Sequence, residues 1–145
     1  MTVKRFPALS IRQPWVDLIL IGVKTIENRT KRTHFRGTIL LHASATLASS
    51  EYIDWYVKTA RKFNLLGKNA EYEPDVGAIL GLVDIVDCVQ ESESPFFEGP
   101  FGWVLKNPRR FKKPIPYKGA VGIFYVPLDR LTGTPAARLQ PGSSQ

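Results

Sequence analysis

The stretch GVKTIENR, residues 22–29, places two cations and one carboxylate close together after a glycine. Its β-branched residues and alternating pattern predict a β-strand over residues 24–29. Side chains of a strand alternate between its two faces, so Glu27 and Arg29 should point the same way. Lys24 has the opposite parity, but it lies in the turn before the strand, from which a long side chain can swing back. The three charges therefore form either a site or a solvated strand edge with loosely paired charges.

The residues on either side of this stretch predict a mixture of strands and helices. Apolar residues at helical spacing predict helices over residues 15–21 and 49–64, and Gly22 is placed to end the first. Runs rich in β-branched and aromatic residues predict further strands, and a proline-rich basic loop, residues 106–118, is expected between the last two. These strands are residues 9–11, 37–42, 77–89, 101–105 and 119–126.

About six closely spaced strands with two early helices contain too many β runs for a doubly wound fold. They predict an α+β fold instead, a small closed barrel with two or more peripheral helices. Closure would also remove the exposed edges of such short strands. On the second helix, Tyr52, Trp55 and Tyr56 stand at helical spacing, which favours packing in the core over a base-stacking platform.

Length and composition predict one domain with a basic surface. The chain has 145 residues, of which 43% are hydrophobic, enough to bury a sizeable core. Its formal net charge of +7 favours an anionic partner such as nucleic acid or a nucleotide. The sequence after residue 128 is rich in Gly, Pro and Ser, which predicts a folded domain over residues 1–128 and a flexible tail over residues 129–145.

The composition argues against several classes of protein and site. The single cysteine, Cys88, excludes an internal disulfide and lies in an apolar run typical of a buried hydrophobe. With only two histidines and no carboxylate cluster near residues 22–29, no metal or cofactor is predicted. The sequence has no recognisable signal peptide and no apolar run of membrane-spanning length, which predicts a cytoplasmic protein. The oligomeric state is left open.

Several blocks of the chain together resemble one known family. Gly22, Lys24, Glu27 and Arg29 match the GxKxxExR signature of the ASCH domain family (activating signal cointegrator homology), which is part of the PUA-like superfamily. The flanking blocks are similar to the family in the same order, from about residue 9 to residue 126. They are LSIRQPW, LLHAS, GAILGLVDIVDCV, FGWVL and PIPYKGAVGIFYV.

The resemblance implies a PUA-like β-barrel with a cleft beside the signature, in which RNA or a nucleotide-like ligand binds. Relatives in the wider family include an amidohydrolase that deacylates N4-acetylcytidine through a central lysine, ribonucleases, and parts of transcriptional coactivators. The alternatives are therefore an RNA- or nucleotide-binding module, a hydrolase acting on a modified nucleoside or on RNA, and a protein-interaction domain. The amidohydrolase relatives are shorter and carry a hydroxyl residue at the position of Glu27, which argues against transfer of their activity.

The signature side chains have distinct expected roles within that cleft. In an enzyme, Lys24 would act as base or nucleophile, and Glu27 would orient it or a water molecule. In a binding module, Glu27 would accept hydrogen bonds from a base, and Arg29 would grip a phosphate or Glu27 itself. Further ligand-binding candidates lie at the start of the first helix, at the end of the third strand and on the expected opposite wall: Ser10, Arg12, Gln13, Trp15, His42, Ser44, Gly102 and Trp103.

Most of these further candidates have a purely structural alternative. The first helix offers unpaired N–H groups at its start to an anion, and Trp15 there either stacks on a base or packs in the core. His42 either borders the cleft or is satisfied by neighbouring backbone. Gly102 would let a flat base approach the backbone beside Trp103.

Two basic clusters complete the predicted nucleic-acid surface. The first follows the signature strand, and the second, interleaved with Phe111 and Tyr117, resembles a contact surface for single-stranded nucleic acid. Each is alternatively a solvated charged loop. Both are expected to flank one cleft and hold the phosphate backbone. They contain Lys31, Arg32, His34 and Arg36, and Arg109, Arg110, Lys112, Lys113 and Lys118.

Overall fold

The computed structural model describes residues 4–139 and contains every strand and both helices that the sequence predicts. The strands and helices follow one another without an internal repeat. In chain order they are β1 (Arg5–Ile11), α1 (Trp15–Leu20), β2 (Ile26–Arg29), β3 (Gly37–Ala43), α2 (Ser50–Lys62), β4 (Ala78–Val89), β5 (Phe101–Pro116), β6 (Ile123–Pro127) and two 3-10 helices, Leu128–Leu131 and Pro135–Arg138. No helix within residues 4–139 has the length and apolar character needed to cross a membrane.

The strands form one mixed sheet of six strands in the order β2-β5-β4-β3-β1-β6. Only β1 and β3 run parallel, and every other neighbouring pair is antiparallel. The α+β class is therefore confirmed, but the expected closed barrel is wrong because β2 and β6 are separate edges of the sheet. β2 has only four residues and pairs with β5 alone. A side chain spans the gap to β1 instead, since Arg29 Nη2 donates to the Ser10 carbonyl at 3.1 Å.

Strand β5 is longer than the sequence predicts, because most of the expected basic loop continues the strand to Pro116. The pairing between β4 and β5 shifts register between Ile79 and Gly81 and again between Leu82 and Asp84. Pro108 and Pro114 lie opposite these irregular sections, where a residue without an N–H group interrupts no regular ladder. Three prolines and several basic residues therefore predict a loop, although they form a bulged strand.

The sheet is covered on both faces, so alternate residues of its central strands enter two different cores. Leu9 and Leu41 point toward α1 and are at most 1% exposed. Ala8 and Leu40 point to the opposite face, where Leu131 of the first 3-10 helix covers them. The register pairs Ala8 with Leu40 and Leu9 with Leu41, which keeps each apolar set on its own face.

The packed part of the chain extends beyond residue 128, where the sequence places the start of a flexible tail. Leu131 and Ala136 are fully buried in the core of the second face. The remainder of that tail, residues 140–145, lies outside the described residues. Cys88 is buried in the core under α1, as expected of a small hydrophobe.

Helix α2 packs more loosely than its apolar pattern predicts. Ala60 is its only buried residue, and Tyr56 packs on Tyr72 with ring centroids 4.8 Å apart. Tyr52 and Trp55 are 44% and 42% exposed, so the expectation that these aromatic residues join the core is wrong. Their rings instead border a cleft.

Candidate ligand-binding cleft

Lys24, Glu27 and Arg29 form a continuous ion network. Lys24 Nζ donates to Glu27 Oε1 at 2.9 Å and also to the carbonyl of Ile26. Glu27 Oε2 accepts from Arg29 Nε at 3.2 Å and from Arg29 Nη2 at 3.0 Å. Lys24 is 5% exposed and Glu27 is 8% exposed. Charges this deeply buried need partners, and each has one here.

The turn before β2 directs Lys24 toward Glu27. Gly22 adopts a φ of +84°, which ends α1 and reverses the chain. The amides of Val23 and Lys24 then both donate to the Leu18 carbonyl, at 3.0 and 3.1 Å. The turn is thereby fixed to the end of α1, and the lysine side chain runs along the start of β2. Its parity in the strand pattern is thus overridden, as expected.

This network leaves one hydrogen-bond donor and one acceptor for a guest. An ammonium has three N–H groups, and two of those on Lys24 donate to Glu27 and Ile26. Oε1 of Glu27 accepts only from Lys24 among the described residues, so one of its lone pairs is free. The remaining donor and acceptor belong to atoms 2.9 Å apart.

Both residues line a cleft of about 550 Å³ whose walls are aromatic. Trp15 of α1 meets Tyr52 of α2 edge to face, with ring centroids 5.0 Å apart. Trp55 lies 6.1 Å from Trp15 and 6.4 Å from Phe96, which belongs to the connection between β4 and β5. The cleft therefore combines aromatic walls with a charged, paired floor, an arrangement typical of sites for flat polar ligands.

Asn28 fastens one wall of the cleft to β2. Its Nδ2 donates to the Phe96 carbonyl at 2.9 Å, and its Oδ1 accepts from the amides of Glu98 and Gly99 at 2.8 and 3.1 Å. All of these bonds are made to one short loop. The position of Phe96 thus depends on an amide side chain next to Glu27 in the sequence.

A second depression of about 400 Å³ adjoins the cleft and shares Trp15, Glu27 and Asn28 with it. Its other lining includes Arg12, whose side chain is exposed, and Arg29. The depression is therefore more basic than the cleft. Within residues 4–139, no group of three or more His, Cys, Asp and Glu side chains is placed to hold a metal ion.

Two of the N–H groups at the start of α1, which the sequence suggests as free, already have partners. The Trp15 amide donates to the Arg12 carbonyl at 3.0 Å, and the Asp17 amide donates to Gln13 Oε1 at 3.0 Å. Gln13 is fully buried and closes the helix end with its own side chain. Of the candidates near this helix, Trp15 lines both depressions, Arg12 and Ser10 line the second, and Gln13 serves the fold.

Ser10 and His42 meet each other on the other face of the sheet. Ser10 Oγ lies 2.9 Å from His42 Nδ1, and His42 Nε2 lies 2.6 Å from the Tyr117 carbonyl. Because a carbonyl only accepts, Nε2 carries the proton and Nδ1 accepts from the serine. Burial lowers the pKa of His42, and the hydrogen bond to Tyr117 opposes this shift. This geometry fits a histidine satisfied by its surroundings, while Ser44 accepts from the Thr46 amide nearby.

Gly102 and Trp103 do not form an opposite wall. A Cβ on Gly102 would lie 2.5 Å from an atom of Ile26, so β2 already fills the space expected for a base. Trp103 is 5% exposed and donates its indole N–H to the Lys31 carbonyl at 3.1 Å. Arg29 lies over its ring at 5.7 Å from the centroid. Trp103 thus packs against Arg29 of the ion network and does not line the cleft.

The two basic clusters lie at opposite ends of β5, contrary to the expectation that they flank one cleft. Arg32 contacts Phe101, at the start of the strand, with 5.0 Å between its guanidinium and the ring. Near the other end, Arg109 pairs with Asp84 and Arg110 with Asp17, each at 2.8 Å. The interleaved aromatic residues also serve the fold, since Phe111 is 6% exposed and Tyr117 packs on Phe124. Exposed residues in the clusters are Lys31, Arg32, His34, Arg110, Lys112, Lys113 and Lys118, while Arg36 is half-buried 3.8 Å from Asp87.

Sequence reasoning missed the residues that build the walls and rim of the cleft. Trp55 falls on the opposite side of α2 from the stripe of Ile53, Val57 and Ala60, and this offset is a signal that the helix has a second face. Phe96 and Glu98 lie in a loop without periodicity, so no pattern indicates them. The residues missed as cleft residues are Asn28, Glu51, Tyr52, Trp55, Phe96 and Glu98.

Comparison with known proteins connects this architecture to one family. A sequence model of the ASCH domain matches residues 9–115. The chain is 32% identical over 121 residues to activating signal cointegrator 1 of Homo sapiens, an alignment that covers 77% of this chain and 20% of the relative. The protein of the same name from Mus musculus is 31% identical over 121 residues. The chain thus spans about a fifth of the length of these relatives.

Proposed function

We propose, since the chain belongs to the ASCH domain family, that its cleft binds an unpaired base of RNA or of a free nucleotide. The observation that carries the proposal is the combination of an aromatic slot with the buried pair Lys24 and Glu27 at its floor. A base is flat enough for the slot and carries hydrogen-bonding groups along its edge.

The aromatic walls supply the sequence-tolerant part of the affinity. Stacking of a base on an aromatic side chain contributes about 1–3 kcal/mol. Trp15, Trp55 and Phe96 offer such faces, and the two on α1 and α2 are held within 6.1 Å of each other. A base stacked on the open face of one of these rings would displace water from the apolar surface of both partners.

The floor supplies selectivity for groups that have a donor beside an acceptor. The free N–H of Lys24 can donate to a ring nitrogen or carbonyl of a base, while Glu27 Oε1 accepts from its amino or imino group. Both groups are nearly buried, so a guest that leaves them unmatched loses affinity. Arg12 in the adjoining depression is placed for the phosphate that follows the base.

Binding is tested with short single-stranded RNA and a duplex of the same sequence. We expect the single strand to bind and the duplex to bind weakly, because only an unpaired base enters the cleft. Trp55→Ala should reduce affinity about tenfold or more, as loss of one stacking face predicts. Phe63→Ala is the matched control, because Phe63 also lies at α2, is 64% exposed and does not line the cleft. Equal losses in both variants, or no binding of either RNA, would contradict the proposal.

A hydrolase is the second candidate function, because Lys24 lies at the floor of a cleft beside a carboxylate. The same contact favours binding over catalysis, since a carboxylate at 2.9 Å stabilises an ammonium, which has no lone pair for attack. Incubation with RNA and acylated nucleosides distinguishes the candidates. Turnover by the native chain that Lys24→Ala abolishes, with ligand binding retained, would establish the hydrolase.

A further inference from the structure

We propose that the cleft prefers a base carrying a positive charge, such as a ring-methylated adenine, over the neutral base. This inference rests on the proposed function, because it assumes that a base occupies the cleft. The preference for a positive charge follows from the aromatic walls of the cleft and from the carboxylates at its rim.

The walls surround the cleft with the negative faces and positive edges of aromatic rings. Trp15 contacts Tyr52 and Trp55, and Trp55 continues to Phe96, so rings from three separate segments face one space. A cation over the face of an aromatic ring is attracted by its quadrupole, most strongly by tryptophan. Two of the four rings are tryptophans.

The charges around the cleft are predominantly negative although the chain is basic. Its lining contains three carboxylates, Glu27, Glu51 and Glu98, but one cation, Lys24. Lys24 and Arg29 both pair with Glu27, so their charges are directed at the floor. Within residues 4–139, neither Glu51 nor Glu98 takes part in an ion pair. Two uncompensated carboxylates thus stand at the rim of a cleft in a chain of net charge +7.

This distribution favours a positively charged ring and disfavours a phosphate inside the cleft. A phosphate there would face the carboxylates of Glu51 and Glu98, whereas the adjoining depression offers Arg12. A small aliphatic ammonium would use the walls and the rim but would leave the buried donor and acceptor of the floor unmatched. A charged base satisfies walls, rim and floor together.

The test compares two isomers that differ in charge and share every atom type. 1-Methyladenosine is a cation at neutral pH, and N6-methyladenosine is neutral with the same added methyl group. We expect 1-methyladenosine to bind the full chain at least about tenfold more tightly, the size of effect that cation–π contacts give in partly desolvated sites. Glu51→Gln with Glu98→Gln should reduce this preference, by lowering the affinity for 1-methyladenosine more than the affinity for N6-methyladenosine. Glu91→Gln with Glu93→Gln is the matched control, since both are exposed and outside the cleft lining.

The possible outcomes distinguish failure of the charge preference from failure of base binding itself. Equal affinity for the two isomers would overturn the charge preference and leave base binding intact. RNA binding without binding of any nucleoside would also overturn it. Failure of RNA and all nucleosides would remove both proposals. Tighter binding of a peptide carrying trimethyl-lysine than of 1-methyladenosine would overturn the assignment to a base.

Discussion

Lys24 and Glu27 form an ion pair of 2.9 Å in which neither residue is more than 8% exposed. Two charges removed from water in this way are costly unless each remains paired. Arg29 completes the pairing on the second oxygen of Glu27 and joins β2 to β1 through the Ser10 carbonyl. The signature residues thus stabilise the open side of the sheet, and Lys24 and Glu27 also form the floor of the cleft.

Removal of Glu27 should destabilise the fold strongly. Glu27→Ala leaves Lys24 nearly buried without its carboxylate, which predicts a loss of about 3–5 kcal/mol in the free energy of unfolding. Urea denaturation followed by far-UV circular dichroism measures the loss. The double variant Glu27→Ala with Lys24→Met should recover part of it, because the unpaired ammonium is then absent. A single variant as stable as the native chain would contradict the buried pair.

Asn28→Ala should loosen the wall that carries Phe96. The substitution removes three hydrogen bonds to residues 96–99, so their amides should exchange hydrogen faster while exchange in β4 is unchanged. Hydrogen exchange with mass spectrometry measures this, and RNA affinity should fall in parallel. Asn69→Ala is the control, because Asn69 is exposed and does not line the cleft. Unchanged exchange at residues 96–99 would show that Asn28 does not hold the wall.

Gly81→Ala should be the most damaging of the conservative glycine substitutions. An added Cβ would lie 2.3 Å from the Arg109 carbonyl oxygen, and strands β4 and β5 cannot separate there without losing their pairing. Overpacking of this kind costs about 1–3 kcal/mol or more. Gly67→Ala, whose Cβ would meet Ala70 at an ordinary 3.4 Å, should stay within about 0.5 kcal/mol of the native chain. Thermal unfolding of both variants provides the comparison.

The stability of the chain should fall in mildly acidic solution because of His42. Burial lowers its pKa below the ordinary value of 6.5, so the unfolded chain binds a proton more readily than the folded one. The contribution of neutral His42 to the free energy of unfolding is therefore complete above about pH 6.5. It is lost as the pH falls from there toward the pKa that His42 has in the folded chain. His42→Gln should flatten this part of the stability profile, and His34→Gln, at an exposed position, should not. Parallel profiles for the native chain and His42→Gln would contradict this linkage.

The sequence was sufficient for the existence of the strands and helices and for the shared face of Glu27 and Arg29, because these follow from local periodicity. Glu27 and Arg29 share a face through the period of two, and Gly22 ends α1 where the chain must turn. The sequence did not show that β2 and β6 remain unpaired with each other and leave the sheet open. Strand order depends on contacts between residues far apart in the sequence. The continuation of β5 was missed because its prolines resemble those of a loop.

The walls of the cleft were harder to predict than its floor. Tyr52 and Trp55 are residue types that are common in protein cores, and only the tertiary position of α2 shows that they are exposed. Conversely, Trp103 and Gly102 stand near the signature and were expected to face a ligand, but β2 covers them. Aromatic side chains serve cores and binding sites alike, so their role is decided by what packs against them.

The indole N–H signals of the three tryptophans test the central claim most directly. In a ¹⁵N-labelled chain titrated with single-stranded RNA, we predict that the Trp15 and Trp55 signals shift together, since both rings line the cleft. The Trp103 signal should stay in place, because its N–H donates to the Lys31 carbonyl beneath the network. Shifts confined to Trp103, or to the amides around Lys112 and Lys113 with Trp15 and Trp55 unmoved, would contradict a base in the cleft.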